Sequence, residues 1–459
     1  MHGTEPVLML AAARVADPVA ARSQMGFSLA WHIIVACFGV GLPGLVLFTE
    51  WRGLRTGDVA CRLLARRWAK VLGVLFAVGA VSGTILSIEM GVLWSGLMAN
   101  WGQVIGLPFA IEGIAFFIEA IFLGIYLYGW DRLPPRVHLL SGLPIFAAGV
   151  ASAFFVVCAN AWMNTPAGFT ISQGRITHVD PWSAMFNPAS GPETTHMILA
   201  ALMVTGYGTA SVYAVAMLRG RRDRYHRLGL LIPLTGAAIL TPLQIVAGDW
   251  AARMVAAEQP TKLAAMEGLA RTTTGAPESL FGYYSGGRLH GALRIPDGLS
   301  LLARLNPHAT VQGLDAVPAA GRPSLVNVVH LSFDMMVAIG FGLLALGAWL
   351  AWSWWRRRQP PRSRWFLRAT AVSGIAAVAA MELGWITTEV GRQPWIVYRV
   401  MRVADAVNPQ PGIQYGFFAV LAVYAVLTVL TIAVLRRITR SRPVPDAPQE
   451  RDVQEYTVI

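Results

Sequence analysis

Cysteine is scarce in this chain, which contains three among 459 residues. The three, Cys37, Cys61 and Cys158, stand far apart, and the sequence has no CxxC and no CxxCH motif. Neither a disulfide framework nor a covalently attached c-type haem is therefore indicated. Each cysteine is expected to be a small, buried apolar residue.

Charged residues are also few. They make up 14% of the chain, whereas 55% of the residues are hydrophobic, and the mean hydropathy is +0.51. This composition is typical of a polytopic membrane protein and excludes a soluble multidomain chain. A spanning helix needs roughly 20 apolar residues, and about nine such runs recur along the chain. The predicted spans cover residues 26–50, 67–97, 105–129, 138–162, 194–218, 228–248, 325–354, 366–390 and 414–436.

Lysine is nearly absent, since Lys70 and Lys262 are the only two, and arginine carries most of the net charge of +12. The arginines are concentrated in short segments between apolar runs, at positions 52, 55, 62, 66, 67, 219, 221, 222, 224, 227, 356, 357, 358, 362 and 364. Such clusters mark cytoplasmic loops. No continuous basic surface with interleaved aromatic residues is indicated, so nucleic acid is not an expected partner.

The arginine clusters predict an orientation for an all-α membrane protein of about nine transmembrane helices. The N-terminus lies outside and the C-terminus lies in the cytoplasm; only the arginine-containing connection after span eight departs from this rule. The predicted organisation is spans one to six in residues 1–248, an extracytoplasmic loop in 249–324, spans seven to nine in 325–437, and a cytoplasmic tail in 438–459.

Two glutamates interrupt the third apolar run, in PFAIEGIAFFIEAIFLG. Glu112 and Glu119 are seven residues apart, close to two helical turns, so both lie on one helix face. A carboxylate at membrane depth is expensive and by default indicates an ion or proton route or a ligand pocket. The alternatives are a pair facing lipid headgroups, or a buried pair with structural hydrogen bonds.

Four further residues within the spans are potential metal ligands: His32, His196, Met336 and Glu382. A single membrane histidine is more often a helix contact, and a single methionine is usually packing. With the predicted orientation, however, all four side chains and Glu112 fall in the outer half of the bilayer. Histidine, methionine and carboxylate are ligands of haem iron and other transition metals.

A copper–haem centre would need a cluster of histidines at membrane depth, including an adjacent pair. The sequence has no HH pair, which argues against such a centre. Six histidines are expected in loops or termini, namely His2, His138, His178, His226, His290 and His308.

Residues 20–400 resemble subunit I of the cytochrome bd quinol oxidases. The similarity rests on RSQMGFSLAWH, on the two-glutamate helix, and on three further segments. These segments are ANAWMNTPAG at 159–168, GDWAARMVAAEQPTKLAAME at 248–267 and GRQPW at 391–395. The pentapeptide together with the two-glutamate helix is highly specific. The predicted outer loop is short after the segment that contains Lys262 and Glu267. In this respect the chain resembles the short-loop branch of the family, which includes the cyanide-insensitive type.

The resemblance implies a role for each matched residue. His196 and Met336 match the axial ligands of a low-spin haem b. His32 and Glu382 match the ligands of a high-spin haem b and of haem d, or of a third haem b. The resemblance also implies that Glu112 and Glu119 lie on the proton path and that Lys262 and Glu267 contact quinol. The charge of Arg392 suits it to offset haem propionates, with packing or a lipid headgroup as the alternatives. Trp395 of the same pentapeptide is a further expected haem-binding residue.

The activity implied is that of a terminal oxidase in the bacterial cytoplasmic (inner) membrane. Ubiquinol or menaquinol is oxidised at the outer face, and O2 is reduced to water with protons taken from the cytoplasm, which contributes to the proton-motive force. A second large subunit and small single-helix subunits are the implied protein partners. Glu119 is expected to face the cytoplasmic supply, and Glu112 the oxygen-reducing haems.

Two other functions remain open on the residues alone. A proton-coupled secondary transporter would explain Glu112 and Glu119, but not His196 and Met336 at similar depth. A haem b electron-transfer subunit would predict paired histidines across helices, which are lacking. One residue departs from the family pattern: Asp334 stands where some relatives have arginine. An acid beside a haem is expected to lower its reduction potential.

Overall fold

The structure is a computed structural model that describes residues 18–440 except 174 and 411. Within this part of the chain, nine helical segments are long and apolar enough to cross a membrane, which confirms the predicted all-α class and span number. The helices are α1 Pro18–Thr56, α2 Val59–Leu93, α3 Ser95–Gly129, α4 Pro135–Ser141, α5 Leu143–Asn164, α6 Pro181–Met185, α7 Ser190–Leu218, α8 Arg224–Glu258, α9 Pro260–Met266, α10 Gly298–Arg304, α11 Val326–Arg357, α12 Arg364–Gly391, α13 Val403–Ala406 and α14 Ile413–Arg440. Helices α4 and α5 together form the fourth span.

The remaining elements are short antiparallel strand pairs in the connections. They are β1 Thr170–Ser172, β2 Arg175–Thr177, β3 Thr273–Thr274, β4 Glu278–Leu280, β5 Tyr283–Ser285, β6 Arg288–His290, β7 Leu293–Ile295, β8 Thr310–Val311, β9 Trp395–Val397 and β10 Met401–Arg402. The pairs are β1–β2, β3–β8, β4–β7, β5–β6 and β9–β10.

The connections divide the bundle into two faces. The arginine face carries the short connections 57–58, 130–134, 219–223 and 358–363, and the loop face carries 165–189, 259–325 and 392–412. Contacts between connections support this division. On the arginine face Arg224 lies 2.6 Å from Asp58, and on the loop face the Tyr398 N–H donates to the Met163 carbonyl at 2.9 Å.

The main core lies between α1, α2, α7, α8, α11 and α12, where leucine, alanine and aromatic side chains are buried. Helix α14 packs by one edge against α1 and α2, and its other side chains are mostly exposed and apolar. Trp31 anchors this edge by donating to Thr428 at 2.9 Å. The bundle therefore has apolar outer surfaces, as expected for a protein surrounded by lipid or by another membrane subunit.

The helices are longer than the predicted spans. Helix α8 continues to Glu258, beyond the predicted end at 248, so the first residues of the predicted loop are helical. Asp249 and Arg253 suggested the end of an apolar run, but they are four residues apart and pair across one helical turn at 2.7 Å. The predicted tail lies largely outside the described residues, because α14 ends at Arg440.

Candidate functional site

His32 projects from α1 towards Ser82 of α2. Its Nδ1 lies 2.7 Å from the Ser82 hydroxyl oxygen, which is itself 3.0 Å from the Gly79 carbonyl. Because the hydroxyl can give its one hydrogen to that carbonyl, Ser82 can accept a hydrogen bond from Nδ1–H. This arrangement leaves the Nε2 lone pair available, as in histidine ligands whose other nitrogen is fixed by a neighbour.

His196 lies on the first turns of α7 and faces α8. The side-chain amide nitrogen of Gln244 is 3.3 Å from its Nδ1 and 3.2 Å from its Nε2. One amide placed almost equally near both nitrogens fixes neither of them strongly. Gly248, one turn further along α8, also faces the ring, since a Cβ there would lie 3.3 Å from the His196 Cε1.

Met336 and Glu382 come from neighbouring helices, α11 and α12. A Cβ at Gly384 would lie 3.0 Å from the Met336 sulfur, so the sulfur points at α12 two residues beyond Glu382. The Oε1 atom of Glu382 is buried and has no hydrogen-bond partner among the described residues. A buried polar atom without a partner is costly, and a bound metal is one accepted reason for it.

Glycines adjoin three of the four candidate ligands. Gly83 lies beside His32, where a Cβ would come 3.3 Å from the ring, and Gly248 and Gly384 lie beside His196 and Met336. Glycine keeps the neighbouring helix free of side-chain bulk at each ligand atom. Among the described residues, no group of three or more His, Cys, Asp and Glu is placed to hold a metal ion. Histidine, methionine and carboxylate side chains are all ligands that haem iron accepts singly or in pairs.

Glu112 and Glu119 lie on α3 and face α5, as their spacing predicted. Ser152 of α5 donates to Glu112 Oε1 at 2.9 Å. Glu119 is 6% exposed, and both of its carboxylate oxygens lie 3.6 Å from the Cβ position of Gly149. No described residue donates a hydrogen bond to Glu119. Of the two acids, only Glu119 is thus buried without a hydrogen bond from a described residue.

Lys262 lies in a buried network at the loop face rather than on a solvated surface. Its Nζ donates to the Asn164 side-chain oxygen at 3.0 Å, and Arg392 Nη1 donates to the same oxygen at 3.1 Å. Asn164 in turn donates to Glu193 at 2.8 Å, and Arg392 pairs with Glu389 at 2.6 Å. We call these five residues, which come from α5, α7, α9 and the end of α12, the Asn164 network.

Burial alters the acid–base chemistry of Lys262. Desolvation of the ammonium lowers the pKa of Lys262 to about 7, although the negative charge of Glu193 partly opposes this shift. Lys262 can therefore exchange a proton near neutral pH, which an exposed lysine cannot do.

Glu267 is separated from Lys262 and lies in a second, acidic cluster at the end of α9. It is 4% exposed and lies near Glu278 and Asp334. Burial, followed by the charges of these two acids, holds the pKa of Glu267 well above its usual range. Burial together with the charge of Asp334 raises the pKa of Glu278 to about 7. The structure thus places the two predicted quinol-contact residues in different surroundings.

Asp334 has two partners that the sequence did not reveal. Its carboxylate accepts from the Phe281 N–H and lies 3.5 Å from His330 Nε2. The two ring nitrogens of His330 also lie 2.7 Å from the Met266 carbonyl and 3.0 Å from the Phe281 carbonyl. Because carbonyls only accept, each ring nitrogen lies where it can donate a hydrogen bond to one of them. Asp334 thus has a backbone donor from the loop and a histidine one helical turn away.

Arg392 and Trp395 flank the turn that follows α12. The Nε of Arg392 is buried and has no partner among the described residues, which leaves one donor free despite the bond to Glu389. Trp395 is partly buried on β9, and the Arg402 guanidinium lies 5.1 Å from its ring centroid. Arg392 thus remains able to bind one further anionic group.

Two buried polar clusters were missed in the sequence. Glu89 accepts from Gln24 at 3.0 Å and from Ser28 at 2.9 Å, and its other oxygen is unpartnered in the described structure. Glu50 lies 2.6 Å from His138, and both side chains are buried. The assignment of His138 to a loop was wrong, because Pro134 and Pro135 start the short helix α4. In the sequence, Glu50 stands near the end of the first predicted span and His138 at the start of the fourth, so the pair gave only a weak signal.

Comparison with known proteins gives a consistent result. The family model for cytochrome bd terminal oxidase subunit I matches residues 20–443. A putative cytochrome bd menaquinol oxidase subunit I from Bacillus subtilis is 37% identical, over 93% of this chain and 98% of that protein. Cytochrome bd ubiquinol oxidase subunit 1 from the same organism is 28% identical, over 89% and 90% respectively.

A solved structure is similar over nearly the whole fold. The bd oxidase from Geobacillus thermodenitrificans has a chain with a TM-score of 0.87 and 37% sequence identity. The match covers 94% of this chain and 100% of that one.

Proposed function

This chain belongs to the cytochrome bd terminal oxidase subunit I family, and from that premise we propose that it is the haem-carrying subunit of a quinol oxidase that takes its protons from the arginine face. Family membership makes the chain an oxidoreductase subunit and removes the transporter hypothesis. The single observation that carries the proposal is the buried Oε1 of Glu382, which has no hydrogen-bond partner among the described residues.

Four residues are assigned as haem ligands. His196 and Met336 hold a low-spin haem b, and His32 and Glu382 hold a high-spin haem b and haem d, or a third haem b. When bound, these groups supply the electron transfer and oxygen reduction that the side chains cannot perform. Ser82 orients His32, and the glycines beside His32, His196 and Met336 leave space next to the ligand atoms.

Arg392 and Trp395 assist at the loop-face edge of this region. The free Nε of Arg392 can donate to an anionic group such as a haem propionate. The Asn164 network fixes the guanidinium in place through Glu389 and Asn164. Trp395 offers an apolar ring at the same edge.

The quinol site lies in the loop that the sequence places at residues 249–324. Lys262 donates a hydrogen bond to a quinol oxygen, and Glu267 accepts a quinol proton. Burial lowers the pKa of Lys262 to about 7, so this group exchanges a proton near neutral pH. Burial raises the pKa of Glu267 well above its usual range, which makes its carboxylate a stronger base towards a quinol proton. Because both residues are buried, the quinol headgroup must enter the loop rather than rest on its surface.

Protons for oxygen reduction enter from the opposite side. Glu119 is two turns nearer the arginine face than Glu112 and receives them first, and Glu112 then faces the oxygen-reducing haems. With the arginine face in the cytoplasm and the N-terminus outside, oxidation at the loop face and uptake at the arginine face contribute to the proton-motive force.

The partners are those of a respiratory membrane complex. Subunit I of this family works with a second large subunit, which is proposed to cover part of the apolar exterior, together with small single-helix subunits. Two similar proteins are named as menaquinol and ubiquinol oxidases. Either quinol is a candidate substrate, and the bacterial inner membrane is the proposed location.

Oxygen consumption by the purified complex tests this function. The chain, co-expressed with its second subunit, should consume O2 when supplied with ubiquinol or menaquinol, and two quinols should be oxidised for each O2. Absence of quinol-dependent O2 consumption in a pigmented, intact complex would contradict the proposal.

A further inference from the structure

Three buried polar side chains meet at the arginine-face end of the bundle. Glu50 Oε1 of α1 lies 2.6 Å from His138 Nδ1 of α4, and the Tyr126 hydroxyl of α3 donates to Glu50 Oε2. His138 Nε2 lies 2.9 Å from the Tyr126 carbonyl oxygen. The residues are 3%, 1% and 2% exposed for Glu50, Tyr126 and His138. We call these three residues the Glu50 cluster.

The Glu50 cluster holds one transferable proton. A backbone carbonyl only accepts, so His138 Nε2 must carry a hydrogen. A second hydrogen must lie between His138 Nδ1 and Glu50 Oε1, because two unprotonated atoms repel each other at 2.6 Å. This hydrogen can reside on either atom. A buried ion pair adds little stability compared with apolar packing, so packing alone does not account for the cluster.

The Glu50 cluster is in line with the two acids of α3. Tyr126 follows Glu119 by seven residues, as Glu119 follows Glu112, so all three share one helix face at steps of about 10 Å. Two glycines of the fourth span face this stripe. A Cβ at Gly142 would lie 3.1 Å from the Tyr126 ring, and one at Gly149 would lie 3.6 Å from the Glu119 oxygens. The fourth span thus contributes no side chain beside either group, and Leu47 of α1 fills the space at Gly142.

The other side of the Glu50 cluster is close to the surface. The half-buried Trp130 covers His138, with 4.3 Å between ring centroids. Trp130 also lines a cleft of about 410 Å³ that contains Arg66 and Lys70. Trp130 therefore connects the His138 ring to a cleft at the arginine-face surface.

We propose that the Glu50 cluster is the proton-loading site through which protons from the arginine face reach Glu119. The inference rests on the proposed function. In the loaded state a proton taken up from the arginine face is bound at Glu50 Oε2, the shared hydrogen stays between Oε1 and His138 Nδ1, and the Tyr126 hydroxyl turns from Oε2 towards Glu119. Oε2 then passes its proton to the Tyr126 oxygen as Tyr126 releases its own hydroxyl proton through water to Glu119. The Glu50–His138 pair then regains one proton from the arginine face, so one proton enters for each that reaches Glu119, and no electron moves.

Tyr126→Phe in the complete oxidase complex tests this site, because it removes only the relaying hydroxyl. Tyr213→Phe is the matched control. Tyr213 is also buried at the arginine-face end, and it accepts from Trp68 at 2.9 Å, outside the proposed line. Quinol-dependent O2 consumption is measured in H2O and in D2O, with the haem spectrum as the check on folding. Glu50→Gln and Glu119→Gln complete the set.

The expected result is a fall in turnover on the order of tenfold or more for Tyr126→Phe, with a larger solvent isotope effect and an unchanged haem spectrum. Tyr213→Phe should match the wild type. The loading site is refuted if Tyr126→Phe and a folded Glu50→Gln both turn over at the wild-type rate, whether or not Glu119→Gln is slow. Should Glu50→Gln fail to fold, Tyr126→Phe alone decides. Failure of the proposed function is distinct, since the wild-type complex would then not oxidise quinol with O2.

Discussion

The Asn164 network and the interior acids of the bundle bury charge in opposite ways. At the loop face, Glu193 and Glu389 receive hydrogen bonds from asparagine and arginine. In the interior, Glu119 and Glu382 Oε1 are buried without a protein donor in the described structure. Satisfied buried charges hold elements together, whereas unsatisfied ones are retained for a bound group or a mobile proton. The comparison therefore separates the acids that help to build the site from the acids that are free to bind a group or to carry a proton.

The largest effect is expected from Met336→Leu, which removes a proposed ligand from the interior set. The low-spin haem b should become high-spin or be lost, and quinol oxidation should fall by more than about a hundredfold, since even supporting residues around metals cost 10- to 100-fold. Met335→Leu is the control, because Met335 is its exposed neighbour. An unaltered reduced spectrum in Met336→Leu would refute the ligand assignment.

Arg392→Leu tests the Asn164 network, in which the buried charges have partners. It leaves Glu389, whose side chain is 32% exposed and still accepts from Asn160, without its ion-pair partner, which should cost about 1–3 kcal/mol of stability. Loss of pigment on heating should therefore begin at a lower temperature. Arg402→Leu removes an exposed arginine of the same turn and should have little effect. Equal stability of the two variants would show that the Asn164 network does not hold the loop face together.

Glu119→Gln keeps the size of the side chain but removes its ionisable proton. Oxygen reduction should slow by a factor on the order of 10 to 100, while the haem spectrum is retained. Glu258→Gln changes an exposed acid at the end of α8 and should leave turnover unchanged. Unchanged turnover in Glu119→Gln would remove this residue from the proton route.

The smallest effect concerns the pH dependence of quinol binding. Because burial lowers the pKa of Lys262 to about 7, the ammonium loses its proton as pH rises through 7, and the amine that remains is a weaker donor. KM for quinol should therefore rise a few-fold between pH 6 and 8, roughly in proportion to the lost charge-assisted bond. Lys262→Met should raise KM for quinol at pH 6 and abolish the rise in KM between pH 6 and 8. A rise in KM that persists in Lys262→Met would assign it to another group.

The sequence predicted the span number well, and it singled out the candidate ligands, because both depend on local signals. Apolar runs show where helices cross, and a histidine or glutamate within such a run is conspicuous. Helix ends were harder to predict, since the Asp249–Arg253 pair let α8 continue past charged residues.

Partnerships across the bundle could not be predicted. Asn164 and Lys262 are 98 positions apart, and Glu50 and His138 are 88 apart, so no local pattern links them. The pairing of Asp334 with His330 was within reach, because the residues are four apart on one helix, but its bond to Phe281 depends on how the loop folds back. The residue types therefore indicated which side chains could bind a group or carry a proton. Only the three-dimensional structure shows which buried charges have partners.

The most direct test of the central claim is a reduced-minus-oxidised visible spectrum of the purified protein, with extraction and identification of the pigments. Low-spin and high-spin haem b signals are predicted, together with a chlorin band in the red or, if a third haem b replaces haem d, three haems b per chain. A preparation without haem, or with low-spin haem b alone, would contradict the account.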